Sequence, residues 1–205
     1  MSTPHHRVIA IDGPAASGKS SVARVLARQL GEIYINTGAM YRAAAWLSVR
    51  EQIPPQAVAA ALPRLRFFVQ EGELAIRLGE EDPAAHLNGP EVNAAVSAVA
   101  AVPEVRAHLV ARQREFAGEG NLVMEGRDIG SVVFPETPHK FYIDASPEVR
   151  ARRRAAQGLT DDLVRRDRID RSRAASPLTI PAGAVVIDSS DLSIEGVVSA
   201  IRSHL

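Results

Sequence analysis

Short apolar runs alternate with segments of helical apolar spacing along most of the chain. Val8–Ile11 is a continuous apolar run, which is typical of a strand buried on both of its faces. In the segment that follows the next loop, from Ser21 to Leu30, apolar residues recur at helical spacing. The same alternation recurs at four later apolar runs, residues 32–36, 122–124, 139–144 and 184–187. It predicts the α/β class, with a five-stranded parallel sheet and helices on both faces.

The stretch between residues 56 and 118 departs from this alternation. Two runs at 66–70 and 73–78 flank Glu71-Gly72, which is a hairpin signal. They predict a small antiparallel insertion in an otherwise parallel sheet. Helical spacing predicts three helices in this part of the chain, over 56–65, from Pro90 to Pro103 and from Glu104 to Phe116.

The loop between the first strand and the first helix fits a phosphate-binding motif. Residues 13–20 match G-x-x-x-x-G-K-S/T, in the strand-loop-helix context that the motif requires. Glycine lets backbone N–H groups surround phosphate oxygens, and a helix N-terminus favours an anion. Lys19 supplies a point charge to the β- and γ-phosphates, and the Ser20 hydroxyl is placed to ligate Mg²⁺. The alternative, a plain glycine turn, does not account for the matching flanks. The predicted ATP-binding residues of this loop are Gly13, Pro14, Ala15, Ala16, Ser17, Gly18, Lys19, Ser20 and Ser21.

Composition narrows the class of protein. The 205 residues are 46% hydrophobic and carry 24 basic and 24 acidic side chains, so no net charge points to nucleic acid or to a membrane surface. There is no cysteine, which excludes disulfides and thiolate metal sites, and the six histidines lack metal-ligand spacing. No apolar run approaches the length of a membrane span. We expect a single domain over residues 1–205, cytoplasmic and monomeric, that binds neither nucleic acid nor a membrane.

Three further polar groups follow predicted strands, at Thr37–Arg42, Glu125–Asp128 and Arg150–Arg173. In an open parallel sheet they can converge on the phosphate-binding loop. Each group also has a purely structural interpretation. The first could be the capped start of a helix, the second a surface turn, and the third a solvated helix pair held by Arg–Asp bridges. Gly126 and Gly130 bracket an Arg-Asp pair, which suggests close backbone approach to a ligand. The density of arginine in the third group favours a bound anion such as a triphosphate, because like charges repel.

Several longer motifs resemble those of the bacterial cytidylate kinase family. The run from Glu125 to Pro135 contains G-R-D-I-G-S-V-V-F-P, which is far more specific than the phosphate-binding loop alone. Three features depart from the family's usual pattern: Glu125 and Asn36 each stand where Asp is common, and the segment from Gln157 to Arg166 is short. The other matching segments follow in the family's order, at residues 11–21, 37–42, 97–106, 166–173 and 188–190.

The resemblance implies a nucleoside monophosphate kinase that moves the γ-phosphoryl group of ATP to CMP or dCMP with Mg²⁺. It implies a P-loop kinase fold with an acceptor-binding insertion at about 66–118 and a helical, arginine-bearing lid at about 150–173. The small molecules ATP, CMP and dCMP would be its partners. Attack would come from an acceptor phosphate oxygen that is already ionised at neutral pH, so no general base would be needed.

The resemblance also implies roles for individual side chains. Lys19, Arg127 and Arg166 would be catalytic, and Ser20 would be the protein ligand of Mg²⁺. Arginines at the start of the lid would reach ATP, namely Arg150, Arg153 and Arg154. The acceptor's phosphate would be held by Arg42 and Arg127, its cytosine by Ser97, Arg106 and Asp128, and its sugar and phosphates by Arg166, Asp170 and Arg173. The acceptor site would also include Thr37 and Glu125.

Two other classes remain open at this point. One is a P-loop kinase for UMP or for another small acceptor; an alcohol acceptor would need a carboxylate base, and Asp12 or Glu125 is a candidate. The other is a nucleotide-binding switch that signals without making product. The chain lacks the N-K-x-D guanine motif, which argues against a GTPase.

Overall fold

The computed structural model describes residues 6–156 and 178–205 of the chain. These residues include a seven-stranded sheet with the order β3-β4-β2-β5-β1-β6-β7. All neighbours in the run β2-β5-β1-β6-β7 pair in parallel, which confirms the five predicted parallel strands. The strands are β1 (Val8–Asp12), β2 (Ile33–Asn36), β3 (Leu65–Gln70), β4 (Glu73–Leu78), β5 (Leu122–Gly126), β6 (His139–Asp144) and β7 (Val185–Asp188).

The predicted hairpin is present, but it extends the parallel sheet. β3 and β4 pair antiparallel along their whole length. β4 also lies parallel to β2, where Tyr34 pairs with Glu73 and the Tyr34 N–H donates to the carbonyl of Gly72 (2.8 Å). This single register pair is the reason that the sheet has seven strands and not five with a separate hairpin.

Helices lie on both faces of the sheet, as the alternation predicts. The helix predicted over residues 56–65 is wrong in extent, because only four of its residues are α-helical between 3₁₀ turns and Leu65 already begins β3. Pro63, which has no backbone N–H, lies in the second of these turns, Leu62–Arg64. The helices are α1 (Lys19–Leu30), α2 (Thr37–Glu51), α3 (Val58–Ala61), α4 (Pro90–Ala100), α5 (Pro103–Glu115), α6 (Pro147–Ala156) and α7 (Ile194–Arg202).

The strand β1 separates two hydrophobic cores. Its residues Val8 and Ala10 belong to the core that α2, α4, α5 and the hairpin cover. Ile9 and Ile11 belong to the core beneath α1 and α7. All four side chains are buried, so β1 is covered on both faces and carries the phosphate-binding loop on a rigid support.

Two further observations concern the connections. A π-helical turn, Ile129–Val133, follows β5 and was not expected from the sequence. No single helix in the described ranges is long and apolar enough to cross a membrane; the pair Pro90–Ala100 and Pro103–Gly118 reaches that length and composition only jointly, across a bend of 96°.

Candidate active site

The phosphate-binding loop leaves the carboxyl end of β1 at a position that only glycine can occupy. Gly13 has φ +155°, and a Cβ there would lie 2.1 Å from the carbonyl oxygen of Ile143 on β6. The loop then enters α1 at Lys19, whose Nζ donates to the carbonyl of Pro14 (3.0 Å). The lysine is therefore folded over the loop, where an incoming phosphate would meet it.

A cavity of about 690 Å³ opens beside this loop, between α1, β2, β5 and the helices of the hairpin side. It brings together segments that are more than 100 residues apart along the chain. From the loop, the predicted residues that line it are Ala15, Ala16, Gly18, Lys19, Ser20 and Ser21. From the other predicted groups, the lining residues are Thr37, Arg42, Ser97, Arg106, Glu125, Arg127, Asp128 and Arg154.

The remaining predicted residues lie elsewhere. Gly13, Pro14 and Ser17 are in the loop but are not among the cavity-lining residues, and Ser17 is fully buried. The predicted acceptor and catalytic residues Arg166, Asp170 and Arg173 lie outside the described residues, as does most of the predicted lid.

Two arginines of the predicted lid contact the phosphate-binding loop. Arg150 donates to the carbonyl of Ala15 (3.4 Å), and Arg153 donates to the carbonyl of Ser17 (3.2 Å). Arg153 also donates to the hydroxyl and the carbonyl of Ser189, whose own hydroxyl donates to the Ser17 carbonyl (2.8 Å). These hydrogen bonds tether the carbonyls of Ala15 and Ser17. Contact of Arg150 and Arg153 with ATP stays a prediction.

A hydroxyl and a carboxylate meet where the loop begins α1. Ser20 Oγ donates to Glu125 Oε1 (2.8 Å), and both residues line the cavity. Mg²⁺ in phosphoryl-transfer sites is held by one or two protein oxygens together with substrate phosphates, so this oxygen pair fits that ion. Residues 6–156 and 178–205 contain no group of three or more His, Asp or Glu side chains that is arranged to hold a metal ion.

The opposite wall of the cavity contains a buried ion pair. Arg106, on α5, donates to the carboxylate of Asp128, and both side chains are 7% exposed. The guanidinium also lies over the ring of Tyr41, 5.5 Å from its centroid. Ser97, on α4, lines the same cavity. The wall thus presents a fixed donor, a fixed acceptor and a hydroxyl, which suits a ligand with a polar edge.

The carboxylate of Asp12 lies beneath this wall. It is fully buried and accepts from the N–H groups of Ile129 (2.7 Å) and Gly130 (2.8 Å). Burial raises its pKa from 3.8 to about 7, and the negative charge of Asp128 adds to that rise. The two N–H donors and the positive charge of Lys19 act in the opposite direction.

The glycines predicted to approach a ligand pack against protein. Gly126 lines the cavity, but a Cβ there would lie 2.5 Å from Thr37 Oγ1 and 2.7 Å from Ile129 Cδ1. A Cβ at Gly130 would lie 3.1 to 3.3 Å from three other side chains. The described close neighbours at both glycines are side chains of the same chain, and close approach to a ligand stays a prediction.

Some lining residues were missed by the sequence reasoning. Arg24 was detectable, because it lies four residues after Ser20 on α1 and so shares its helix face. Arg24 lies over the ring of Tyr34 at 5.1 Å and pairs with Glu73 of the hairpin (3.2 Å). Ala100 lies in the matching segment 97–106, but no role was predicted for it. Three other missed residues carry no motif signal and reach the cavity only through packing: Tyr34, Asn88 and Val96.

The chain is similar to known proteins over nearly its whole length. A family model described as cytidylate kinase matches residues 9–205. A cytidylate kinase of Pelotomaculum thermopropionicum is 46% identical over 214 residues, which cover 96% of this chain and 95% of that one. One of Mycolicibacterium paratuberculosis is 46% identical, covering 95% and 93%. A solved gluconokinase from Sinorhizobium meliloti covers 98% of this chain and 91% of its own with a TM-score of 0.53 and 14% identity, a likeness of fold alone.

Proposed function

The chain belongs to the cytidylate kinase family, and we propose that it transfers the γ-phosphoryl group of ATP to CMP or dCMP, giving the corresponding diphosphate. One observation carries this proposal: the phosphate-binding loop and the buried Arg106–Asp128 pair line the same cavity. A donor phosphate and the polar edge of a base thus have separate, fixed sites within one space.

The signs of the two charged groups favour cytosine over uracil. Cytosine offers a donor at its N4 amino group and acceptors at N3 and O2, whereas uracil offers an acceptor at O4 and a donor at N3. An ionised carboxylate only accepts, which suits the amino group of cytosine, and a guanidinium only donates, which suits N3 and O2. Uracil would face Asp128 and Arg106 with the wrong sign at two of three atoms, at a cost of roughly 1–3 kcal/mol for each group left unpaired.

The reaction needs alignment and charge neutralisation more than proton transfer. An ionised oxygen of the acceptor phosphate forms a bond to the γ-phosphorus while the bond from that phosphorus to the bridging oxygen of ADP breaks. Lys19, Arg42 and Arg127 line the same cavity. Lys19 would neutralise the donor phosphates, and Arg42 and Arg127 would neutralise the acceptor phosphate. Mg²⁺, held by Ser20 and Glu125 together with the phosphates, would supply further positive charge.

The alternative acceptors fit the site less well. An alcohol needs a base at its hydroxyl, but Asp12 is fully buried, bonded to two N–H groups and not among the described residues that line the cavity. Glu125 lines the cavity, but its carboxylate is bonded to Ser20 in the position that suits a metal. A phosphate acceptor requires neither residue as a base.

The proposal is tested by identifying the product. Purified chain is incubated with ATP, Mg²⁺ and either CMP or a non-nucleotide alcohol, and the products are separated by chromatography. We expect CDP and ADP in equal amounts from CMP, and no phosphorylated alcohol. ATP binding without any CDP would favour the nucleotide-binding switch and contradict the proposal.

A further inference from the structure

The π-helical turn that follows Asp128 is held by side chains from two distant elements. At its start, the buried carboxylate of Asp12 on β1 accepts from the N–H groups of Ile129 and Gly130. At its end, Arg114 on α5 donates from Nη2 to the carbonyl of Val132 (2.8 Å) and from Nε to the carbonyl of Val133 (3.0 Å). Thus a carboxylate binds the free N–H groups of the turn and a guanidinium binds its free carbonyls.

The same π-helical turn is hydrogen-bonded to the backbone of Asp128. The N–H groups of Val132 (2.9 Å) and Val133 (3.2 Å) both donate to the Asp128 carbonyl. A shift of the turn would therefore move the backbone on which the Asp128 carboxylate stands. Because that carboxylate is already bonded to Arg106, a small shift would also change the geometry of the buried ion pair.

A single helix contacts both Asp128 and the turn that follows it. Arg106 and Arg114 both belong to α5, and they contact the carboxylate of Asp128 and the turn that follows it. Asp12 adds a third point of attachment from the central strand of the sheet. Contacts with α5 and with β1 thus fix the position of Asp128. The strand β1 also carries the phosphate-binding loop.

We propose that Asp12 and Arg114 are positioning residues for recognition of the acceptor base, acting through the turn Ile129–Val133 on Asp128. Neither residue is among those that line the cavity in the described part of the chain. The proposal rests on the proposed function, because it assigns to Asp128 the acceptor base as its ligand. It predicts that substitutions outside the cavity change the choice between CMP and UMP.

The test compares the ratio of kcat/KM for CMP to that for UMP in the full chain and in four variants. Arg114→Met removes both donors and keeps an apolar stem, and Arg114→Lys restores one donor. Asp12→Asn keeps one acceptor oxygen and turns an N–H group toward the second backbone N–H. Arg112→Met is the matched control, because Arg112 lies on the same helix and donates to the carbonyl of Phe67 (2.6 and 3.1 Å) on the far edge of the sheet.

We expect Arg114→Met to lower the CMP-to-UMP ratio by about threefold and Asp12→Asn by about tenfold, with KM for ATP changed by less than about twofold. Arg114→Lys should recover part of the loss, and Arg112→Met should keep the wild-type ratio. Circular dichroism and the thermal midpoint identify variants that remain folded. Arg114 is exposed, so its substitution leaves a folded protein even if Asp12→Asn does not.

The kinetic results distinguish failure of the proposed function from failure of the positioning role. A wild-type chain that makes no CDP contradicts the proposed function and the positioning role with it. Normal turnover of CMP by the wild type, with the ratio unchanged in folded Arg114→Met, overturns the positioning role alone. An equal loss of kcat/KM for CMP, for UMP and for ATP would assign Arg114 a purely structural role. That result also overturns the positioning role.

Discussion

Arg106 and Asp128 form an ion pair that is buried in the wall of the cavity, with each side chain 7% exposed. Removing two charges from water costs free energy that their mutual attraction does not always return. Such a pair is weak evidence for stability. Its place on the cavity wall supports the proposed role in base recognition, because a preorganised donor and acceptor can bind the edge of a base.

The first prediction concerns this pair. Asp128→Asn keeps the shape of the side chain, but its amide can turn to donate to O4 of uracil. We expect the preference for CMP over UMP in kcat/KM to narrow by roughly tenfold or more, chiefly through lost CMP activity. Steady-state kinetics with both acceptors measure this. Asp191→Asn, the same change at an exposed position in a loop, is the control. An unchanged ratio in Asp128→Asn would remove Asp128 from base recognition.

A second prediction uses the two lysines of the chain. Lys19→Met should reduce kcat by about a hundredfold or more, because it removes the positive charge that neutralises the donor phosphates. The fold should persist. Lys140→Met is the matched control; this lysine donates to the carbonyls of Pro135 and Ala182 (3.3 Å to the latter) and should retain most activity. Coupled measurement of ADP release gives both rates. Full activity in a folded Lys19→Met chain would refute phosphoryl transfer at this loop.

The third prediction concerns the oxygen pair at Ser20 and Glu125. Ser20→Ala removes the hydroxyl that donates to Glu125, and we expect the Mg²⁺ concentration for half-maximal rate to rise by about tenfold. Ser199→Ala, at an exposed position on α7, is the control. Titration of Mg²⁺ at saturating nucleotide measures the shift. An unaltered Mg²⁺ dependence in Ser20→Ala would mean that the metal is held elsewhere.

A fourth prediction follows from the raised pKa of Asp12. The folded chain holds this proton up to about pH 7, whereas the unfolded chain releases it near pH 3.8. The protonated Asp12 therefore stabilises the folded state fully below the unfolded pKa of 3.8, and this stabilisation is lost as the pH rises through about 7. One pKa unit corresponds to about 1.4 kcal/mol, so the effect is on the order of a few kcal/mol.

Denaturant unfolding at about pH 5 and about pH 8 measures this effect. The wild type should lose more unfolding free energy between the two values than Asp12→Asn, which has no proton to release at position 12. Asp128, whose charge raises the pKa, and Lys19, whose charge lowers it, are present in both proteins. Parallel pH profiles for the two proteins would show that Asp12 titrates normally.

Much of the fold is predictable because its signals are local. The motif at residues 13–20 and the apolar runs on either side are contiguous in sequence, and each dictates its own strand, loop or helix. The hairpin was also predicted, but its attachment to the sheet was not. That attachment depends on the pairing of Tyr34 with Glu73, and nothing in either segment specifies which edge of the sheet the hairpin joins.

The site was predictable where residue type decides the chemistry, and not where packing decides the partner. Arginine density near Arg150 and Arg153 indicates affinity for oxygen anions, but loop carbonyls meet the same donors, and the structure has both arginines bonded to them. The contacts that Asp12 and Arg114 make with the turn at Ile129–Val133 arise from the packing of β1 and α5 around it. Such long-range contacts leave no pattern within a sequence window.

The most direct test of the central claim is a competition among acceptors. The purified chain receives limiting ATP with Mg²⁺ and equal concentrations of CMP, dCMP, UMP and AMP, and the diphosphates are separated and quantified. CDP, dCDP and UDP then report the relative kcat/KM of their acceptors. AMP and ATP together give two ADP, so half of the ADP in excess over the sum of the other three diphosphates reports phosphorylation of AMP. The account predicts that CDP and dCDP together form the large majority of the product, with UDP lower by about tenfold or more. Equal amounts of UDP and CDP, or ADP release without any CDP, dCDP or UDP, would contradict it.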